Sequence, residues 1–200
     1  ASLRTTGIEL SLTWKQHVND DFSYSITGTL SDNQTEVTKY NNPTKIISSS
    51  TYYEGQKLGD IWGYVTEGFF TSPEDVKNSP DQSAIYATWN PGDMKYKDLN
   101  GDNKIDWGDN TAVNPGDKKV IGNDTPRFLY GLSFSGIYKD FDFNLFFQGV
   151  GKRDVFIGSM TYFGFQGSKF FTTVHDHNLD YWREDNQDAF FARPYATSEV

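Results

Sequence analysis

From Gly7 to Trp14 apolar and polar residues alternate without a break. Ile8, Leu10, Leu12 and Trp14 fall on one side, and Glu9, Ser11 and Thr13 on the other. A period of two is that of a β-strand, whose successive side chains point to opposite faces. Phe22 to Ser31 repeats the pattern, with Phe22, Tyr24, Ile26, Gly28 and Leu30 opposed to Ser23, Ser25, Thr27, Thr29 and Ser31. The short polar link 15–21 joins the two as a hairpin. A second pair follows. Phe128, Tyr130, Leu132, Phe134, Gly136 and Tyr138 oppose Leu129, Gly131, Ser133, Ser135 and Ile137, and Lys139-Asp140 makes a tight turn. Phe141, Phe143, Leu145, Phe147 and Gly149 then oppose Asp142, Asn144, Phe146 and Gln148.

Each alternating run is about ten residues, the length that crosses a bilayer when tilted. A soluble β-sandwich also alternates, but its strands are commonly ~5–6 residues. The wet faces here carry Ser, Thr, Asn and Gln with few charges, as a barrel lumen would. Trp14, Phe22, Tyr138 and Phe141 sit near the turn ends, where an aromatic girdle belongs. The expected fold is all-β: part of a large antiparallel transmembrane β-barrel with long extracellular loops and one or two short helices.

Short and long links alternate along the chain, as they do in outer-membrane barrels. The pattern divides it into a strand hairpin (1–31), a long loop region (32–126), a second hairpin (127–150) and a further loop region (151–200). Residues 16–20 and Lys139-Asp140 are expected in the periplasm, and both long regions outside the cell. The chain starts at Ala1 without a leader pattern and stops in a polar stretch, so a fragment cut at both ends is expected.

Composition narrows the class further. Aromatic residues make up 16% of the 200 positions, yet hydrophobic residues total only 36%. No run approaches the ~18 apolar residues of a membrane helix, so strands remain the only crossing elements. Cysteine is absent, which argues mildly for a bacterial envelope or cytosolic protein. The net charge of −9 disfavours nucleic acid and favours cations.

The strongest chemical motif is the loop 98–109. Asp98, Asn100, Asp102, Asp106 and Asp109 place side-chain oxygens at loop positions 1, 3, 5, 9 and 12, and Lys104 at position 7 offers its carbonyl. Calcium takes six to eight hard oxygens, and this spacing wraps them round one point. Four carboxylates this close repel unless a cation sits among them. Asn103 replaces the usual Gly at position 6, and Asp109 replaces the bidentate Glu at position 12. Ile105 at position 8 is expected to anchor the loop to a core. The same composition also suits a solvated turn. A structural calcium ion is the expected cofactor.

Other signals are weaker. Ser72-Pro-Glu-Asp75 reads as a helix start through Asn78, with a capping Ser and acids at the positive dipole end. A second helix is considered over 172–183. His175 and His177 have no third ligand near them in sequence and are attributed to chance. Trp62, Tyr64, Trp89, Trp107, Tyr181 and Trp182 could stack on sugars, but long ordered loops need a core, and most are expected to supply it. No nucleophile or phosphate-loop motif is present, and no carboxylate pair is set apart by an apolar environment. An enzyme is not expected. The rival is a soluble cell-surface calcium-binding adhesion or carbohydrate-binding module; a glycan-degrading enzyme has least support.

The chain resembles the C-terminal part of SusC/RagA-type TonB-linked outer-membrane proteins of Bacteroidetes. The matching stretches are 3–14, 31–40, Gly59-Asp-Ile-Trp-Gly-Tyr-Val-Thr-Glu-Gly68, 92–102, Val120-Ile-Gly-Asn-Asp-Thr-Pro-Arg-Phe128 and Phe146-Phe-Gln-Gly149. The resemblance implies a barrel of about 22 strands around an N-terminal plug, in the bacterial outer membrane. It implies import of glycans or oligopeptides, with a SusD-like surface lipoprotein as cap. Energy would come from TonB through parts of the parent outside this chain. Outer-membrane lipid would surround the wall.

Overall fold

The computed structural model describes residues 1–163 and 174–195. The element order is β1 (Ser2–Asn19), β2 (Phe22–Lys39), β3 (Asp60–Tyr64), β4 (Thr66–Phe69), α1 (Pro73–Asn78), β5 (Met94–Tyr96), β6 (Lys118–Asn123), β7 (Arg127–Tyr138) and β8 (Phe141–Lys152). Two helical turns follow, at Met160–Phe163 and Asp176–Leu179. The chain falls into two compact units, residues 1–61 with 122–155, and residues 62–121 with 156–200.

The first unit is built on one antiparallel sheet in the order β1-β2-β7-β8. The alternating runs form these strands, but the strands are longer than the runs. β1 and β2 have 18 residues each, and β7 and β8 have 12. Pairing runs past the alternation because Thr5↔Thr35 and Thr6↔Gln34 continue the ladder with polar partners on both faces. The expected link 15–21 therefore shrinks to the turn Asp20-Asp21. That turn lies at the same end of the sheet as Lys139-Asp140, with Phe22 opposite Tyr138. The Lys139 N–H donates to the Asp21 carbonyl at 2.7 Å, which ties the two turns together.

The register fixes which residues share a face, since directly opposed residues point the same way. Leu12, Gly28, Leu132 and Phe147 form one row across all four strands, and Trp14, Ile26, Phe134 and Leu145 the next. On the reverse face, Thr13, Thr27, Ser133 and Phe146 form the corresponding row. Two glycines shape the apolar face. The Phe143 ring lies over Gly136 and the Tyr130 ring over Gly149, each filling the space a Cβ would need. An aromatic covering a cross-strand glycine pins the register.

The second unit has a core of its own, centred on buried Phe70, Ile105 and Trp182. α1 starts where the sequence predicts: the Asp75 N–H donates to the Ser72 hydroxyl at 3.1 Å, and Pro73 opens the first turn. β4 pairs with β5. The free side of β5 is satisfied by the buried Gln82 amide, which accepts from Tyr96 N at 2.7 Å and donates to the Met94 carbonyl at 3.1 Å. Trp89 meets Phe70, Tyr86 and Tyr96 edge-on, and Tyr64 lies 5.3 Å from Tyr96. Most of these loop aromatics are thus packing residues, while Trp107 is exposed. The helix considered over 172–183 begins outside the described residues. Its described part holds a single 3-10 turn, because Tyr181 bridges to Phe191 and Arg183 to Asn186 instead.

Candidate functional site

The apolar face of the four-stranded sheet stays largely exposed among the described residues. Ile8 is 67% exposed, Trp14 63%, Phe147 62% and Phe141 76%. Ile8, Phe128 and Phe143, which a soluble sandwich would bury between sheets, all remain accessible. Aromatic contacts run along this face from Phe22 through Tyr24 and Phe134 to Phe143, with ring centroids 5.5–6.1 Å apart. An apolar surface of this extent is an interaction surface of some kind.

The apolar face has definite limits. At the turn end it closes with Phe22, Tyr138 and Phe141, followed by the Asp20-Asp21 and Lys139-Asp140 turns, while Trp14, expected at the turn end, stands two rows farther in beside Ile26 because β1 continues to Asn19. At the loop end it gives way to ion pairs. Arg4 bonds Glu36 at 3.3 Å, and Arg127 grips the Asp32 carboxylate through Nε and Nη2. Asp32 is in phase with Leu30 and the apolar face. Strict alternation would place Arg127 on the hydroxyl face. Between them stands Phe128 with φ 54°, a left-handed backbone rare for a bulky residue. That residue interrupts the alternation and lets the guanidinium reach Asp32. The sequence gives no sign of this kink.

The reverse face is lined by hydroxyls and amides: Ser11, Thr29 and Gln148, then Lys15, Ser25, Ser135 and Asn144. Thr13 and Thr27 are hydrogen-bonded at 3.0 Å, and Thr5 and Thr35 at 2.8 Å. Apolar residues interrupt it, among them Leu129, Ile137, Phe146 and Val150.

Beyond the loop end of the sheet, Asn123 organises a stem. Its side-chain amide donates to the Leu58 carbonyl and to Asp60, both at 2.9 Å, and its N–H donates to Asp154 at 2.8 Å. Thr125 adds a bond to the same Leu58 carbonyl at 2.9 Å. Gly59 has φ 85° and a Cβ there would strike Asn123, Asp124 and Thr125. The stretches Gly59-Asp60 and 122–125, quoted above only as resembling a family, therefore close the base of the 61–121 excursion.

In the second unit the loop 98–109 is tightly self-bonded. Asp98 accepts from Gly101 N at 2.6 Å and Asn103 N at 2.8 Å. These backbone donors, Gly101 foremost, hold its carboxyl below the usual carboxylate range. Asn100 accepts from Asp102 N and Asp102 from Lys104 N, both at 2.9 Å. Asn103 has φ 64°, the left-handed turn expected at position 6. Ile105 is fully buried, and the chain there bridges to Asp81. Asp106 accepts from Gly108 N, and Asp109 from Asn114. The first three donors are thus held close together, while Asp106 and Asp109 turn to local partners. Among the described residues, no three carboxylate or imidazole side chains form a metal-ready group. Sequence reasoning missed Asp117. It is buried and accepts from Leu99 N at 2.8 Å and Asp106 N at 2.9 Å, clamping both arms of the loop. His175 and His177 stack on each other, and His177 bonds the Tyr162 carbonyl at 3.0 Å.

No family model matches the chain. Three curated proteins of Formosa agariphila are similar to it. TonB-dependent receptor P3 is 28% identical over 158 residues, which is 73% of this chain and 15% of the relative. TonB-dependent receptor P26 is 24% identical over 194 residues, 92% of this chain and 18% of the relative. TonB-dependent receptor P39 is 25% identical over 186 residues, 78% of this chain and 17% of the relative. This chain therefore spans less than a fifth of the length of these relatives. Its fold is similar to that in the structure of the RagAB peptide transporter, with a TM-score of 0.62 at 16% identity, over 96% of this chain and 20% of that one. Likeness to TonB-dependent receptors in sequence and to RagAB in fold agree with the open four-stranded sheet: the fold is that of part of a large antiparallel barrel with long loops, and the chain is similar to TonB-dependent receptors.

Proposed function

We propose that this chain supplies wall strands and external loops to a TonB-dependent transporter in the outer membrane of a Bacteroidetes bacterium. The observation behind this reading is the uncovered apolar face running across β1, β2, β7 and β8. From Phe141 to Gly149 the face extends ~26 Å along the strand at ~3.3 Å per residue, or ~19 Å at a 45° tilt. The lipid-facing band of such barrels is ~25 Å tall. Lipid covers this face, and the hydroxyl face looks into the lumen. The Asp20-Asp21 and Lys139-Asp140 turns lie in the periplasm, and residues 62–121 outside the cell. The reading of a soluble adhesion or sugar-binding module would require the same face to be buried.

The cargo is a glycan or an oligopeptide, delivered with a SusD-like lipoprotein and driven by TonB through other parts of the parent protein. The peptide cargo named for RagAB supports the oligopeptide half of that alternative. The test is growth of the native host on defined glycans or oligopeptides after deletion of the parent gene. Loss of growth on one class, with the parent protein in the outer-membrane fraction, supports the reading; a parent protein in the soluble fraction contradicts it.

The loop 98–109 is proposed to hold a structural calcium ion on Asp98, Asn100, Asp102, the Lys104 carbonyl, Asp106 and Asp109. The hydrogen bonds that gather Asp98, Asn100 and Asp102 support it, with Asp106 and Asp109 turning inward on binding. Thermal melts in calcium and in chelator test it: binding raises the midpoint by mass action, and identical midpoints retire it.

A further inference from the structure

Asn100 precedes the one glycine that follows an asparagine anywhere in the sequence. It lies at an exposed bend of the loop 98–109, and Gly101 has φ 82° with open space around it. With no Cβ on Gly101, its backbone nitrogen meets no steric barrier to the side chain before it. Two bonds prepare that encounter. The Gly101 N–H donates to the Asp98 carboxylate at 2.6 Å, which draws its proton away. The Asn100 side-chain oxygen accepts from Asp102 N at 2.9 Å, which polarises the amide carbon and would stabilise negative charge on that oxygen.

We propose that Asn100 is the preferred site of spontaneous deamidation in this protein. The Gly101 nitrogen attacks Cγ of Asn100. The N–Cγ bond forms, the Cγ–Nδ2 bond breaks, and Nδ2 leaves as ammonia with the proton that Gly101 gives up. Water then opens the cyclic imide at either carbonyl, leaving aspartate or isoaspartate at position 100. Asp98 acts directly in this step, since it touches the attacking nitrogen and accepts the hydrogen bond from the proton that nitrogen gives up. Aspartate adds a carboxylate to the third loop position. Isoaspartate also inserts a methylene into the backbone and disturbs the spacing from Asp98 to Asn103.

The test is peptide mapping by mass spectrometry of the full chain in detergent, sampled during incubation at neutral pH. Conversion at Asn100 should run roughly tenfold faster than at Asn110 or Asn123 in the same sample, a ratio that ~1.4 kcal/mol of barrier produces. It should yield both aspartate and isoaspartate, stop in Asn100→Gln and slow in Asp98→Asn. Conversion at Asn100 no faster than at the two comparison sites would overturn the proposal. An unchanged rate in Asp98→Asn would overturn the role given to that carboxylate.

Discussion

The Asp32 carboxylate meets the Arg127 guanidinium through two nitrogens, Nη2 at 2.6 Å, across 95 positions of sequence. The pair joins the point where β2 leaves the apolar face to the point where β7 enters it. It closes the base of everything between them and marks the upper limit of the apolar band. A planar two-nitrogen contact also fixes orientation in a way a lysine could not. Phe128 takes its strained backbone at this position, and its N–H also donates to Asp32 at 3.3 Å.

Leu145 lies midway along the apolar face and Thr27 on the hydroxyl face of the neighbouring row. Leu145→Arg should therefore cost ~2–4 kcal/mol of folding stability in a bilayer, and Thr27→Arg much less. Denaturant unfolding in lipid vesicles measures both. Equal losses would mean that the two faces see the same surroundings.

Gly136 and Gly28 share that face but differ in what lies above them. A Cβ at Gly136 would enter the Phe143 ring, while Gly28 has open space. Gly136→Ala should destabilise by ~1–3 kcal/mol through overpacking, and Gly28→Ala should be neutral or slightly stabilising. Paired thermal melts in the same detergent decide it.

Asp117 is the clamp of the 98–109 loop. Asp117→Ala leaves the Leu99 and Asp106 N–H groups unpaired, and each unpaired buried donor costs ~1–3 kcal/mol. Hydrogen exchange should quicken at residues 99–106, while protection in β1 and β2 stays unchanged.

Asp75 gives a pH test. Its bond to Lys95 at 2.8 Å, and then the Thr71 N–H, hold its carboxyl below 3.8 against the opposing effect of burial. A carboxyl depressed in the folded state stabilises above its unfolded value and loses that contribution as pH falls through the folded one. The pair is partly exposed, so the contribution is at most about 1 kcal/mol. Stability of the loop unit should fall below about pH 4, and Asp75→Asn should flatten that fall. Midpoints from a series of acid melts provide the check.

The sheet was legible because a period of two survives any context: Ile8 to Trp14 and Phe141 to Gly149 state their faces outright. The Ser72 cap and the Asn103 turn were legible because both depend on neighbours in sequence. The tails of β1 and β2 were not, since Thr5–Thr35 pairing is cross-strand and has no apolar signature. Asp117 and Arg127 were hidden for the same reason. Each acts on a partner 10 or more positions away, and nothing in an isolated Gly-Asp or Pro-Arg pair announces that partner. The 98–109 spacing was read as a calcium-type loop; its left-handed turn at Asn103 follows from local sequence, but spacing alone could not say where Asp106 and Asp109 point.

The most direct measurement places single cysteines along β2 of the full-length protein in lipid bilayers, attaches spin labels, and compares collision with oxygen and with a water-soluble paramagnetic reagent. Labels at Tyr24, Ile26, Gly28 and Leu30 should favour oxygen, and labels at Ser25, Thr27, Thr29 and Ser31 the aqueous reagent or neither. Aqueous contact at the first set, or shielding from both reagents there, would contradict a lipid-facing wall.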